Sequence, residues 1–448
     1  MVTQFFNYFL ESVISFDDIF WSYIGIPSII LFGIFLSFKS GWSQIVNFNK
    51  ITNLFFELFH KKNTESHRGI HPIRAFFASI AGSVGIGNVV GVCTAVQIGG
   101  PGAILWLWIA SILGSVVKYS EIYLGLKYRV QNDQKSYDGG PMYYLKHIDH
   151  SRFLSILFCI ILCIYGVEIY MFRIMTHTIV YNWGFNHSAV VIALLCGMLL
   201  ATHKGVAGIG RITSILIPLF VGCFIGVSLW IFLYNMHEIP SLICTIITSA
   251  FHGHAPLGAF AGSTASLAIS QGMKRACYTG DIGIGYASIM MAETEDTKSL
   301  EQQAALVGIF GVLFDTFVIC TTSLLLITLT GLWHQNIHQD QLVAQALALY
   351  IPGILHIWPI FIFLLGFSSS TAYLTAGKKA ARFLFPQYGT KIYTAYAILA
   401  FIVFSFFGNE THILTIMSCA GGLLLAINLY GIIKLRNHIS FDLHFKNE

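Results

Sequence analysis

Charge is what this chain most lacks. Only 10% of its 448 residues are Asp, Glu, Lys or Arg, while 55% are apolar. A soluble domain carries about 25% charged residues, and a surface this poor in charge does not stay dispersed in water. With a mean hydropathy of +0.70, lipid is the natural solvent for most of these side chains. Other absences narrow the field. The nine cysteines include no C-x-x-C pair, so neither a metal nor a redox spacing is present. Cys159, Cys163, Cys196, Cys223, Cys320 and Cys419 lie in apolar runs and read as small buried residues. The first 18 residues lack the basic region and the small-residue cleavage site of a signal peptide. No H-E-x-x-H, G-x-S-x-G or P-loop occurs, and no second acid is set against a membrane histidine. An enzyme is therefore not expected. A formal charge of +4 is too small to argue for nucleic acid.

What the chain does have is long apolar runs. A helix needs about 20 such residues to cross a hydrocarbon core about 30 Å thick. The runs at 20–38, 72–97, 102–126, 153–180, 188–202, 211–235, 257–274, 304–330, 355–377, 391–408 and 412–433 predict an all-α membrane protein with about eleven transmembrane helices. A polar, basic stretch at 39–70 reads as interfacial. Lys and Arg alternate with the connecting segments. Lys39, Lys50, Lys61, Lys62 and Arg68, then Lys127, Arg129, Lys135 and Lys146, then Lys204 and Arg211, fall on one side. Lys274, Arg275 and Lys298, then Lys378, Lys379 and Arg382, and finally Lys434, Arg436 and Lys446 fall there too. The segments near 1–19, 98–101, 181–187, 236–256, 331–354 and 409–411 contain neither residue. By the positive-inside rule this predicts an outside N-terminus, a cytoplasmic C-terminus and an odd number of spans, in a cell membrane such as the bacterial inner membrane.

Setting the first span aside leaves ten, which divide into two sets of five. Each set opens on a segment crowded with small residues, Ala78–Gly91 and Gly258–Ser270. Five is odd, so the two sets enter the membrane from opposite sides. The expected organisation is an extra helix and interfacial segment over 1–71, one repeat over 72–236, an inverted repeat over 237–434 and a tail over 435–448. Paired Gly-interrupted helices opening two inverted halves point to a transporter's binding site.

The chemistry follows from those segments. Gly82, Gly85 and Gly87 each cost a helix about 1 kcal/mol relative to alanine. Unwound backbone facing lipid would leave amides unsatisfied, so a break has to face a polar cavity. There, freed carbonyls can coordinate a cation and the amides of the following half-helix can hold a carboxylate. A close-packed crossing through Gly87-xxx-Gly91 is the competing reading. Near the second segment, Phe260 can wall off an apolar side chain, while His252 and His254 read as solvated outer residues. Ser368, Ser369, Ser370 and Thr371 offer oxygen ligands suited to a hard monovalent cation, although single hydroxyls in a membrane helix usually bond to their own backbone. Among intramembrane charges, Glu168 can pair with Arg173 or a neighbour, and Asp315 can hold a proton, meet a helix end or lock two helices. Lys118 and Glu121 read as snorkelling residues near a helix end, and His177 as a packed, hydrogen-bonded residue.

The run Gly85-Ile86-Gly87-Asn88-Val89-Val90-Gly91-Val92, followed by Gly99-Gly100-Pro101-Gly102-Ala103 and Trp106-Leu107-Trp108, resembles the signature of the alanine or glycine:cation symporter family. Lys118-Tyr119-Ser120-Glu121, Gly139-Gly140-Pro141-Met142-Tyr143-Tyr144, Gly258-Ala259-Phe260-Ala261-Gly262, Gln271-Gly272 with Arg275, and Phe314-Asp315-Thr316 with Cys320-Thr321 are similar in kind and order. The resemblance covers roughly residues 20–434. It implies a ten-helix inverted-repeat core plus one helix, carrying a small neutral amino acid with Na⁺ or H⁺. It further implies that Gly85, Gly87 and Asn88 meet the substrate's carboxylate and amine, and that Gly258, Phe260 and Gly262 line the second break. Ser368 and Ser369 would join carbonyls near Ala81 and Val84 around Na⁺. Several positions depart from the family. Ile86 replaces a Thr, Tyr373 replaces a Trp, and Gly166-Val167-Glu168-Ile169-Tyr170-Met171-Phe172 replaces GNxxQxN. The family's inner SNEAGxGS loop reads Thr279-Gly280-Asp281-Ile282-Gly283-Ile284-Gly285-Tyr286. Because an unpartnered buried polar group costs about 1–3 kcal/mol, either the substrate differs or Glu168 and Tyr170 supply replacement contacts. A ligand-binding membrane sensor and a channel are the alternative functions.

Overall fold

The computed structural model describes residues 2–60, 71–132, 136–148, 152–202, 205–252, 265–294, 299–407 and 410–443. Among them, eight helices are long and apolar enough to cross a membrane. They are α1 (Glu11–Lys39), α5 (Ala103–Lys127), the pair α6 (Phe153–Tyr165) and α7 (Ile169–Trp183), α9 (Gly205–Tyr234), α13 (Leu300–Leu329), α15 (Ile354–Leu384), α16 (Gly389–Phe407) and α17 (Glu410–Lys434). Shorter helices between them include α2 (Phe48–His60), α3 (Pro72–Ile80), α4 (Cys93–Gly99), α8 (His187–Thr202), α10 (Ile239–His252), α11 (Ala265–Thr279), α12 (Tyr286–Met291) and α14 (Leu342–Ala348). A two-residue antiparallel ladder, β1 (Val130–Gln131) with β2 (Tyr137–Asp138), is an exception to the all-helical plan.

Apolar side chains cover the outside as well as the core. On α9, Ile215, Leu219, Leu229 and Leu233 are exposed, and on α16 so are Ile392, Leu399 and Phe407. A protein in water rarely shows apolar faces this extensive, whereas lipid accepts them. Cys196 and Cys223 are also exposed, which corrects the expectation that they are buried; in lipid, an outward thiol costs little.

One end of the bundle gathers the basic residues. Lys127 Nζ donates to the His438 carbonyl at 2.6 Å, Lys39 Nζ donates to that of Arg436, and Lys379 meets Glu293 at 2.5 Å. The clustering agrees with the charge alternation, with one correction. Lys274 and Arg275 do not join that end: both line a cavity beside Asp17, with which Lys274 pairs, well along the helix from Lys39. The reason is that the helix around them runs further than its apolar run suggests. The span expected at 257–274 continues as helix through Thr279, although residues 253–264 lie outside the described ones. The expected span 153–180 is two helices, and the segment 236–256 holds α10.

Three interruptions position the site. Pro72 starts α3 at the first helical position, where its missing N–H costs nothing. The helix ends at Ile80 and regular structure resumes at Cys93, with one turn of 3₁₀ helix at Ile86–Asn88. The second interruption, residues 280–285, separates α11 from α12. Asp281, Gly283 and Gly285 all take positive φ there. At Gly285 the need for glycine is concrete: φ is +92°, and a Cβ would come within 2.5 Å of the Phe158 ring and 2.7 Å of Pro141. The third is Gly166–Glu168, where Glu168 has φ +51°. α3 begins at the basic end, since its Arg74 backbone lies against Gly210 and Lys378 ties neighbouring Thr202 at 2.7 Å. α12 finishes at that end, where Arg129 holds the Ala292 and Thr294 carbonyls at 3.1 and 2.7 Å. The two interrupted helices therefore run antiparallel.

Candidate functional site

The first two interruptions face each other. Tyr286, at the start of α12, donates its hydroxyl to the Ala78 carbonyl of α3. A Cβ on Gly87 would meet the Tyr278 ring at 3.2 Å, and one on Gly85 would collide with Ser369 Oγ. Glycine at these positions lets backbone approach side chain where any other residue would hold them apart.

Several expected site residues come together here. Ser369 Oγ donates to the Val84 carbonyl at 3.3 Å, joining α15 to the first interruption. Ala81 caps α3, its N–H still bonded to the Phe77 carbonyl at 3.0 Å. Ser368 turns instead into its own helix and donates to the Leu365 carbonyl at 2.8 Å. The four hydroxyls thus split between faces, as the helical period requires. Asn88 is engaged inside the protein: its Oδ1 accepts from the Gly85 N–H at 2.9 Å, and its Nδ2 donates to Asp315 Oδ1 and lies 3.2 Å from Cys320 Sγ. Asp315 opens a π-helical turn, Asp315–Cys320, and its other carboxylate oxygen has no hydrogen-bond partner among the described residues. Such π-turns recur at functional sites. Asn88 thus clamps the shape of the first interruption onto α13.

Glu168 is fully buried, as are Tyr170 and Tyr373. It does not pair with Arg173. Instead its Oε2 accepts from the Tyr278 hydroxyl at 3.4 Å, while Arg173 donates to the Phe404 and Ser405 carbonyls at 3.1 and 2.8 Å. The separation has a local cause: the break at Gly166–Glu168 turns Glu168 inward, off the helical face that carries Arg173. Tyr373 donates to Asp281 Oδ1 at 2.7 Å and packs on the Tyr286 ring with centroids 4.4 Å apart. The expected residues Gly258, Phe260 and Gly262 lie outside the described ones.

The groups that organise the second interruption were not singled out for that role. Lys118 does not snorkel. It is fully buried, donates to the Gly280 carbonyl at 2.7 Å and lies 3.7 Å from Asp281 Oδ2. Glu121 accepts from Asn428 Nδ2 at 2.9 Å, and the same nitrogen donates to the Gly283 carbonyl at 3.0 Å. Both released carbonyls thus receive a side-chain donor in place of a helical N–H, which is what an unwound segment away from water requires. The signal was present in the sequence. An acid with three glycines, in Gly280-Asp281-Ile282-Gly283-Ile284-Gly285, is a stronger helix breaker than the segment at 258–262, but its likeness to a loop hid it.

A cavity of about 830 Å³ opens beside this centre, lined by residues that include Asp17, Gln97, Arg173, Lys274, Arg275 and His338. Its walls come from α1, α4, α7, α11, α17 and the segment after α13. Around the first two interruptions the arrangement offers backbone carbonyls, a serine hydroxyl and buried acids.

Comparison with known proteins agrees with this geometry. Residues 7–444 match the family model described as the sodium:alanine symporter family. An uncharacterized transporter of Haemophilus influenzae is 30% identical over 96% of this chain and 94% of its own length. The sodium/alanine symporter AgcS of Methanococcus maripaludis is 28% identical over 93% and 92% respectively. Among solved structures, MhsT in complex with L-phenylalanine superimposes with a TM-score of 0.60 at 12% identity, covering 83% of this chain and 90% of that one. The last shows a shared fold alone.

Proposed function

The chain belongs to the sodium:alanine symporter family, and from that premise we propose that it imports a small neutral amino acid together with Na⁺ by alternating access. It is a multi-pass membrane transporter rather than an enzyme, as its family is. The observation that carries the finer reading is the facing pair of antiparallel interrupted helices, joined by Tyr286 and Ala78. Counting each interrupted helix as one crossing and adding α8 to the eight long ones gives eleven. They divide into α1 and two inverted sets of five over 72–236 and 237–434, with the basic end in the cytoplasm.

In this reading Na⁺ sits between the Ala81 and Val84 carbonyls and Ser369 Oγ, and Ser368 joins by leaving the Leu365 carbonyl. The substrate meets the backbone at Gly85 and Gly87, under Tyr170 and Tyr373, with Asn88 holding the loop's shape. Glu168 and Asp315 are the groups available for proton coupling if H⁺ replaces Na⁺. Na⁺ binding orders the interruption, so substrate and ion tighten each other's binding by the same factor.

Uptake of labelled alanine, glycine and serine into proteoliposomes, with an inward Na⁺ gradient or with K⁺ in its place, tests this. Uptake is expected only with the Na⁺ gradient. Equal uptake in both conditions removes the Na⁺ part. Binding without counterflow exchange would turn the protein into a sensor, and unsaturable flux into a channel.

A further inference from the structure

A second polar cluster stands at the rim of the cavity, away from the interruptions. His177 lies on α7, while His338 and Asp340 lie on the segment between α13 and α14. His177 Nδ1 is 2.7 Å from Asp340 Oδ2, and His338 Nδ1 is 2.5 Å from Asp340 Oδ1. The three donor atoms all lie within 4.8 Å of one another. The Asp340 side chain is 0% exposed, whereas those of His177 and His338 are 39% and 50% exposed. A buried carboxylate thus forms the base of a notch whose two walls are imidazoles reachable from the cavity. Its orientation is already set: Thr178 Oγ1 and Gln341 Nε2 donate to Oδ2 at 3.2 and 3.1 Å, and Trp358 Nε1 donates to the Asp340 carbonyl at 3.2 Å.

We propose that His177, His338 and Asp340 form a binding site for a divalent transition-metal ion of the zinc class at the mouth of the cavity. Two imidazole nitrogens and one carboxylate oxygen are a donor set that suits Zn²⁺, leaving the fourth tetrahedral position to water. Mg²⁺ and Ca²⁺ prefer shells of six or more oxygens, which this notch does not supply. Zn²⁺ bonds of about 2.0–2.2 Å put tetrahedral donors about 3.3 Å apart. Binding therefore opens the two short His–Asp contacts slightly and draws the imidazoles together, within the reach of rotamer adjustments at two half-exposed rings. Outer partners that hold a ligand's orientation, as Thr178 and Gln341 do here, are a regular part of such sites. The bound ion joins α7 to the segment after α13, elements 163 residues apart in sequence.

The test uses the full chain in detergent, purified on a tag without histidine and stripped with EDTA. Titration calorimetry with ZnCl₂ is expected to give one site per chain. His177→Ala, His338→Ala and Asp340→Asn each weaken it by more than the about 10–100-fold that losing an outer partner costs. Co²⁺ is expected to develop a visible ligand-field band that Zn²⁺ abolishes and excess Mg²⁺ leaves in place. His338→Ala removes a half-exposed ring, so its retained elution profile separates lost binding from lost folding. Zn²⁺ heats in the wild type no larger than in His177→Ala/His338→Ala, or displacement of Co²⁺ by Mg²⁺, would overturn the assignment.

Discussion

Replacing Lys118 should be among the most damaging single changes outside the residues that touch cargo. Its ammonium lies 3.7 Å from Asp281 Oδ2 and donates to the Gly280 carbonyl at 2.7 Å, and both charged side chains are buried. At an effective dielectric of about 20, unit charges that far apart interact by about 4.5 kcal/mol. Removing one partner of a buried pair typically costs about 3–5 kcal/mol, because the other charge is stranded. Lys118→Met strands Asp281 and leaves the Gly280 carbonyl without its side-chain donor. Asp281→Asn strands the ammonium, while keeping a residue type that tolerates the positive φ of 52°. Removing both should cost less than the sum, since neither member of the pair is then left facing an empty partner position. The assay is the thermal midpoint of wild type, both single variants and the double variant, in one detergent. The expected order places both single variants lowest, with the double recovering part of the loss. Four midpoints that simply add would refute the claim that the pair is coupled, and a Lys118→Met midpoint equal to wild type would refute its importance.

Three further outcomes are expected. Ser369→Ala removes the hydroxyl that meets the Val84 carbonyl, and should raise the Na⁺ concentration for half-maximal uptake by about tenfold, about 1.4 kcal/mol, with less effect on the maximal rate; an unchanged Na⁺ dependence counts against the ion's placement. Gly285→Ala combines an unfavourable positive φ with a Cβ 2.5 Å from Phe158, so a loss of about 1–3 kcal/mol is expected, read as reduced folded yield by fluorescence-detected gel filtration. Asp340 lies outside the membrane spans. Burial alone would raise its pKa, but hydrogen bonds from His177 and His338 and their charge outweigh that and hold it below the usual carboxylate range. A depressed carboxylate stabilises the fold above its unfolded pKa, and that stability is lost as pH falls through the folded value. Wild type should therefore lose thermal stability more steeply below about pH 4 than Asp340→Asn; parallel pH profiles would count against it.

The departures between sequence and structure share a cause. Lys118 looked like a snorkelling residue because a lysine a few positions from a helix end can reach water along its stem. It stays inside because Asp281 and the Gly280 carbonyl wait for it, contributed from 162 residues away. Likewise Ser368 and Ser369 are equivalent in sequence, and only the approach of Val84 distinguishes them. Asn88 was legible as a polar residue beside a break, but not as the partner of Asp315, 227 residues on.

What the sequence determined by itself is whatever depends on composition and local period. That includes the membrane environment, the long apolar helices, the clustering of basic residues at one end, and the first interruption, whose glycines weaken a helix wherever it packs. The tertiary structure decided which polar groups meet. It put the second interruption at 280–285, turned Glu168 towards Tyr278, and set Lys118 against Asp281. The physical reason is that a charged or unwound group in an apolar chain is costly until a partner reaches it. That partner comes from a distant helix, so its identity is a property of packing that no local window contains.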